Sequence, residues 1–197
     1  YYICYTDKNI IKTKYIIIAS HYPYFILPFA FPLRASLEKS YLSATKSKIN
    51  RISLISYSNP FISIRTYKNN IIYLSNSHSL NNDTDDEKNF SELLKKLEDI
   101  NLKPDYLWSN NDIITNDYLP YIGRMKENIL IATGYNTWGL TNGFLAGKIL
   151  SDIILNKENK YIKLFNPKRI NTSIITKSFV NAGKTLKGYY EGCKNNK

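Results

Sequence analysis

The sequence predicts an α+β fold, on three observations. Between Lys39 and Ser77, four runs rich in β-branched and aromatic residues follow one another closely with turn formers between them, which is the pattern of an antiparallel sheet. Between Ser91 and Ile100, Leu93, Leu94 and Leu97 recur at helical spacing. From Asn128 to Leu155 a short apolar strand, a glycine loop and a long amphipathic helix stand in direct succession.

Taken in order, Tyr2–Tyr5 and Ile10–Ile18 read as two strands joined by the turn formers Asp7, Lys8 and Asn9. The second is apolar on both faces and stops at Ala19, Ser20, His21, Tyr22 and Pro23, where proline ends pairing. Tyr24–Leu33 is aromatic and proline-rich, a packed crossover. The sheet strands follow at Lys39–Thr45, Arg51–Tyr57, Phe61–Tyr67 and Ile71–Ser77. An acidic loop, Asn81–Glu87, feeds the helix at Ser91–Ile100, and Tyr106–Ile114, with Trp108, is extended. Asp117–Gly123 reads as a proline and glycine turn.

Ile129–Ala132 has the composition of a buried strand, and Gly134 breaks it. Tyr135–Leu140 makes a tight connection containing Trp138 and Gly139. Thr141 and Asn142 then stand where helix caps belong. The helix buries a broad face of Phe144, Leu145, Ile149, Ile153 and Ile154, and Asn156 closes it. Tyr161–Pro167 is aromatic and partly exposed. The basic tail from Asn171 to Lys197 has no clear period.

Composition bounds the function classes. With 197 residues, 43% of them apolar and 22% charged, the chain is one globular domain or part of a larger one. The formal charge of +11 attracts nucleic acid and anionic lipid in general, but the 27 Lys and Arg are scattered within a chain-wide Lys, Asn, Ile and Tyr bias. No aromatic-interleaved basic patch supports a nucleic-acid module. Cys4 and Cys193 define neither a disulfide framework nor a metal motif, so the expectation is no metal and a reducing, cytoplasmic compartment. No apolar run reaches membrane-span length. Met125 is the single methionine, which leads to the expectation of a fragment or a processed chain.

The strand, loop and helix at 128–155 would present backbone N–H groups and a positive helix end to an electron-rich ligand, with the amides of Asn142, Gly143 and Phe144 expected to be free. The same residues also read as a packed strand and helix, with glycines serving the turn and aromatics the core.

A set of spaced motifs adds to this reading: Trp108, Ser109, Asp112, Asp117, Pro120, Tyr121, Ile122 and Gly123; then Ala132, Thr133, Gly134, Tyr135, Asn136, Trp138, Gly139, Thr141, Asn142 and Gly143; then Leu164, Phe165, Pro167 and Arg169. Together with Ile16–Pro23 and with Ser63, Ile64 and Arg65, the set resembles the C-terminal half of FAD-dependent oxidoreductases of the D-amino-acid oxidase and glycine oxidase superfamily. It is most similar to the branch whose members often carry an appended Rieske domain.

The resemblance implies a flavoprotein that oxidises an amine or amino acid by hydride transfer to FAD. It also implies a domain layout. Residues 1–23 and 128–156 would belong to a Rossmann-like FAD domain whose N-terminal part is missing. Residues 24–127 would form an antiparallel substrate-binding domain with one helix, and residues 157–197 a basic tail. The cofactor would meet Gly134, Tyr135, Asn136, Trp138, Gly139, Leu140, Thr141 and Asn142, with Gly139 allowing close backbone approach. Arg65 or Arg124 would hold a substrate carboxylate. His21, His78, Asp112 and Asp117 are weaker candidates, each with an equally good structural role, and the catalytic residues are left open.

Two departures limit the resemblance. The Gly-x-Gly-x-x-Gly turn that holds FAD pyrophosphate is absent from this sequence. Cys4, His21, His78 and Cys193 show no paired spacing for a Rieske cluster. The alternative is therefore a non-catalytic remnant, or a subunit that needs a separate N-terminal FAD-binding chain. In either case the apolar faces of Ile16–Ile18 and Ile129–Ile131 are expected to be exposed.

Overall fold

The computed structural model describes residues 1–22, 30–46, 51–57, 62–68, 70–80 and 85–195. The elements in chain order are β1 (Tyr2–Tyr5), β2 (Ile10–Thr13), β3 (Ile16–Ile18), α1 (Phe31–Arg34), β4 (Ala35–Lys46), β5 (Ser53–Ile55), β6 (Ser63–Tyr67), β7 (Asn70–Leu80), α2 (Asp86–Asp99), β8 (Tyr106–Thr115), β9 (Tyr121–Lys126), β10 (Ile129–Thr133), α3 (Gly139–Ile154), α4 (Ile162–Phe165) and α5 (Thr172–Asn195). They form two compact units, one of Tyr1–Ser36 with Ile113–Lys197 and one of Leu37–Asp112.

The second unit holds the antiparallel sheet. Its strand order is β5-β6-β7-β4-β8, and β4 with β7, β5 with β6 and β6 with β7 pair antiparallel. The strands run longer than the expected ones at β4 and β7, because pairing with a neighbour extends a strand through polar ends that carry no periodic signal. Amphipathic α2 covers the sheet by burying Leu93 and Leu97 against Tyr41, with Phe90, Ile62 and Ile64 around them. Asp85 caps α2 by accepting from the Lys88 amide at 3.0 Å, and the Asp86 carboxylate accepts from Lys39 Nζ and the Tyr41 hydroxyl, tying the helix to β4.

The first unit is built on a three-stranded sheet of order β3-β10-β9. β10 runs parallel to β3, with Ile129 opposite Ile16 and Ile131 opposite Ile18, and antiparallel to β9. Side chains alternate along β10. Leu130 and Ala132 face α3, where they pack with Ile122, Ala146, Ile149, Leu150, Ile153 and Phe165. Ile131 faces the other way, with Phe31, Tyr121 and Met125. β1 and β2 form a separate hairpin closed by the Thr6 amide and hydroxyl, both donating to the Asn9 carbonyl.

Several expectations are corrected. The run Ile10–Ile18 is two strands, because Thr13 Oγ1 donates to the Tyr15 carbonyl at the break and β3 leaves the hairpin to pair with β10. Asp117–Gly123 is a turn only as far as Pro120. From Tyr121 the chain is strand, with Gly123 at φ +146° where an added Cβ would stand 3.1 Å from the Pro167 ring. Leu130 and Ile131 are fully buried rather than exposed, since β10 is covered on both faces. Ile17, on the sheet edge, is 48% exposed as expected. The unassigned tail is helix α5. The crossover at 24–33 resolves at its end into the single turn α1, and Pro23, most of that crossover and the first part of the acidic loop at 81–87 lie outside the described residues.

Candidate functional site

The site is the loop between β10 and α3. Gly134 has φ +72°, Asn136 φ +51° and Thr137 φ +68°, so three of its residues are left-handed. For a β-branched threonine this conformation is costly, and such strain persists only where the surroundings fix it. Here they do. Thr115, at the end of β8, donates its amide (2.8 Å) and hydroxyl (3.1 Å) to Asn136 Oδ1. Asn136 Nδ2 donates to the Gly134 carbonyl at 2.8 Å, and the Asn136 amide to the Ile113 carbonyl at 3.1 Å. Gly134 has no alternative at its position, because an added Cβ would lie 2.4 Å from Thr115 Cγ2.

The helix begins earlier than expected, and this corrects the cap assignment. α3 starts at Gly139 with Trp138 as its cap residue, and Thr141 and Asn142 lie within the first turn. The Asn142 amide already donates to the Trp138 carbonyl at 3.0 Å. By helix geometry, the amides without an intrahelical acceptor are those of Gly139, Leu140 and Thr141. Asn142 instead uses its side chain, Nδ2 donating to the Tyr135 carbonyl at 2.9 Å and pinning the loop to the helix.

Trp138 is 58% exposed, Leu140 88% and Phe144 84%, so an apolar surface surrounds the helix N-terminus. Phe144 was expected on the buried face. It shares a side of the helix with Leu140, one turn away, while Ala146, Ile149, Leu150 and Ile153 face the sheet. A Cβ added at Gly139 would meet nothing within 4 Å, so the space above the loop is open. Tyr135 is half-buried against the core beneath α3, and burial raises its hydroxyl pKa. It also lines an apolar groove of about 520 Å³ that runs along α3 past Gly143, Gly147 and Leu150 to Ile17 and Ala19 beside β3.

The other candidates divide. Both strands of the parallel pair end on the loop's side, where Thr133 Oγ1 donates to the His21 carbonyl at 2.8 Å. The His21 backbone is fixed there and its side chain is exposed. The Arg124 guanidinium is held at the β9–β10 turn by the Glu127 carbonyl and, at 3.1 Å, by Asn128 Oδ1. Arg65 is exposed in the middle of β6, in the second unit. His78 falls on β7, where the backbone path alone is described, and Asp112 ends the second unit.

Asp117 is structural. Its carboxylate accepts from Arg169 Nε at 2.7 Å and Nη2 at 2.8 Å, both side chains being nearly buried. Burial pushes the Asp117 pKa up, but the Arg169 bonds and charge, the Leu119 amide and Asn171 outweigh it and hold the carboxyl below its ordinary value. Arg169 also bonds the Leu119 and Pro120 carbonyls and stacks 4.1 Å over the Tyr121 ring, with Arg34 at 4.7 Å. The clamp fixes the start of β9, hence the strand beside the loop. The sequence signal for it was Arg169, which stands in the matched motif. Thr115 and Arg34 carried no local signal.

A planar, largely apolar ring with an electron-rich edge fits this geometry. The exposed apolar side chains would cover its face, and the Gly139–Thr141 amides and the positive helix end would meet its edge. Among the described residues no group of acidic, His and Cys side chains could hold a metal ion, and no helix is long and apolar enough to cross a membrane.

The family model for FAD dependent oxidoreductases (DAO) matches residues 10–153. YhfW of Bacillus subtilis (strain 168), named as a Rieske 2Fe-2S iron-sulfur protein, is 32% identical over 177 residues, covering 84% of this chain and 35% of that protein. Glycine oxidase from Geobacillus kaustophilus superposes with a TM-score of 0.65 at 19% identity, over 86% of this chain and 49% of that one. L-proline dehydrogenase from P. horikoshii gives 0.61 at 20% identity, over 83% and 48%. The chain therefore spans about a third of the curated relative and about half of each solved structure.

Proposed function

Because the chain belongs to the FAD dependent oxidoreductase family, we propose that it is the flavin-proximal and substrate-binding part of an enzyme oxidising an amine or amino acid. The observation that carries this is the strained, doubly fastened loop at 134–138 leading into a helix whose first amides face open space beneath an exposed apolar rim. Backbone strain of this kind clusters at ligand-facing loops, which supports the reading. Glycine and L-proline, named for the two solved relatives, are a primary and a secondary amine with a carboxylate.

FAD, when bound, supplies a two-electron acceptor for removal of the C–H electrons beside the amine nitrogen. The chain's residues do the rest. The Gly139, Leu140 and Thr141 amides and the positive helix end would hold the ring's electron-rich edge and favour negative charge there. Trp138, Leu140 and Phe144 would exclude water from the ring, and Tyr135 would help to wall its pocket. Asn136 and Asn142 act as positioning residues by holding the loop. Arg65 and Arg124 are the candidates for the substrate carboxylate, the Arg124 guanidinium already serving the hairpin turn.

The segments 1–23 and 128–156 are assigned to the FAD domain and 24–127 to the substrate domain. The phosphate-holding motif would come from sequence outside this chain. In the test, the chain is joined to an upstream half bearing Gly-x-Gly-x-x-Gly. The product is expected to retain flavin that bleaches anaerobically with an amino acid or secondary amine, and bleaching by acids weakens in Arg65→Ala. Flavin that stays oxidised against every amino acid and amine refutes the reading.

A second reading is a subunit completed by a separate FAD-binding chain. It is favoured by the exposed edge strand β3 and the adjoining groove along α3. Co-purification of the two halves as separate chains supports it, and failure of separate halves to associate while the joined protein works rules it out.

A further inference from the structure

We propose that α5 is a strap whose docking within the first unit holds the loop at 134–138 in its strained form, so that lifting the helix releases the loop. Three consecutive residues at the end of β8 carry the connection. Thr115 fastens the loop, its amide and hydroxyl both donating to Asn136 Oδ1. The next two residues, Asn116 and Asp117, fasten α5.

The helix is tied down at two places. At its start, Asn171 Oδ1 accepts from the Ile174 amide at 2.8 Å, a capping bond, while Asn171 Nδ2 donates to Asp117 Oδ2 at 3.0 Å. Further along, Ser178 and Asn181 meet the buried Asn116 side chain, one and two turns from Ile174. Asn116 Nδ2 lies 3.3 Å from both the Ile174 carbonyl and the Ser178 hydroxyl, and Asn116 Oδ1 accepts from Asn181 Nδ2 at 3.2 Å. The Asn116 amide donates to the Arg34 carbonyl and its Nδ2 to the Leu33 carbonyl, each at 3.0 Å, and Asn181 Nδ2 reaches the Leu33 carbonyl at 3.4 Å. The end of β8, α1 and α5 therefore share one polar cluster with Asn116 at its centre.

Two features make this docking reversible and the loop responsive to it. Among the described side chains of α5, Ile174 alone is buried, and an element held by few buried apolar groups opens locally, well below the free energy of global unfolding. The loop holds Asn136 at φ +51° and Thr137 at φ +68°, conformations that persist only while their fastenings do. Since Asn116 directly follows Thr115, a shift of Asn116 out of the cluster draws the Thr115 amide and hydroxyl off Asn136. The docked helix is thus the state in which the loop is ordered for a ligand. Coupling of this kind is reciprocal, so a ligand that tightens the loop also holds α5 down. On the reading proposed above that ligand is a flavin ring, but the coupling lies in the chain itself and is tested without a cofactor.

The test is amide hydrogen exchange of the full chain, read residue by residue by NMR. The Thr115 and Asn136 amides report on the loop, because they donate to Asn136 Oδ1 and to the Ile113 carbonyl. Leu130 and Ile149, fully buried in the core, report on the whole fold. Ser178→Ala with Asn181→Ala removes the side-chain bonds of α5 to Asn116 while favouring the helix itself. Exchange at Thr115 and Asn136 is expected to rise about tenfold or more, with Leu130 and Ile149 unchanged. Asn171→Ala, at an exposed position, should act in the same direction. Thr176→Ala, whose hydroxyl bonds the Thr172 and Ser173 carbonyls of its own helix, should not. In the reverse direction, Asn136→Ala should speed exchange of the Ile174 amide by a similar factor. The proposal is overturned if Thr115 and Asn136 keep their rates in the double variant, if they rise only in step with Leu130 and Ile149, or if Ile174 does not respond to Asn136→Ala.

Discussion

Gly134→Ala should be among the most damaging small substitutions in the chain, and Thr115→Ser should remove the steric share of that damage. Gly134 stands at φ +72°, so alanine there costs about 1–2 kcal/mol for a left-handed L-residue. The new Cβ would also lie 2.4 Å from Thr115 Cγ2. Thr115 is fully buried and held by its amide and hydroxyl to Asn136, so it cannot turn away, and the overpacking adds about 1–3 kcal/mol. The expected total is about 2–5 kcal/mol. Serine at 115 keeps the hydroxyl and removes the obstructing methyl, at roughly 1 kcal/mol for lost burial. In that background Gly134→Ala should cost only the backbone share, leaving a coupling of about 1–3 kcal/mol between the sites. Urea unfolding of the four proteins, followed by circular dichroism, measures it. Additivity within about 0.5 kcal/mol would refute the steric argument.

Other perturbations reach the supports of the site. Asn136→Ala removes the acceptor of two Thr115 bonds and leaves the buried Thr115 amide unpaired, so it should cost about 1–3 kcal/mol, read by the same unfolding assay. Arg169→Ala strands the Asp117 carboxylate and should cost about 3–5 kcal/mol, with Arg169→Lys a poor substitute because it lacks the two-pronged fork. Since the folded Asp117 pKa is depressed below 3.8, its contribution is present in full above that value and is lost as pH falls through it toward the folded pKa. Acid titration of stability should therefore lose this step in Asp117→Asn. Ile17→Lys, on the exposed edge of β3, should leave the isolated chain folded and abolish association with an upstream half, scored by co-purification.

The elements legible in the sequence were those with a local period. The four sheet strands, the helix at α2 and the strand and helix at β10 and α3 each announce themselves by alternation or by i, i+3, i+4 spacing. What was hidden depends on contacts distant in sequence. β9 looked like a turn because Pro120 and Gly123 punctuate it, and only pairing with β10 makes it a strand. Phe144 looked like a core residue, yet helix phase is set by which side the sheet occupies, and Ala146 and Ile149 take that side. Thr141 and Asn142 have the chemistry of caps, but the Trp138 carbonyl accepts the Asn142 amide and starts the helix earlier. Thr115, which fastens the loop, lies 21 residues from Asn136 and has no motif of its own.

The most direct measurement is the flavin content of the chain joined to an upstream FAD-binding half, with and without Gly139→Leu. A Cβ added at 139 meets nothing within 4 Å in this chain, so the substitution is expected to leave unfolding unchanged, which urea unfolding checks. If the flavin ring lies over the loop at 134–142, leucine occupies its space and the purified protein should lose its flavin. Full flavin content in the variant would contradict the account.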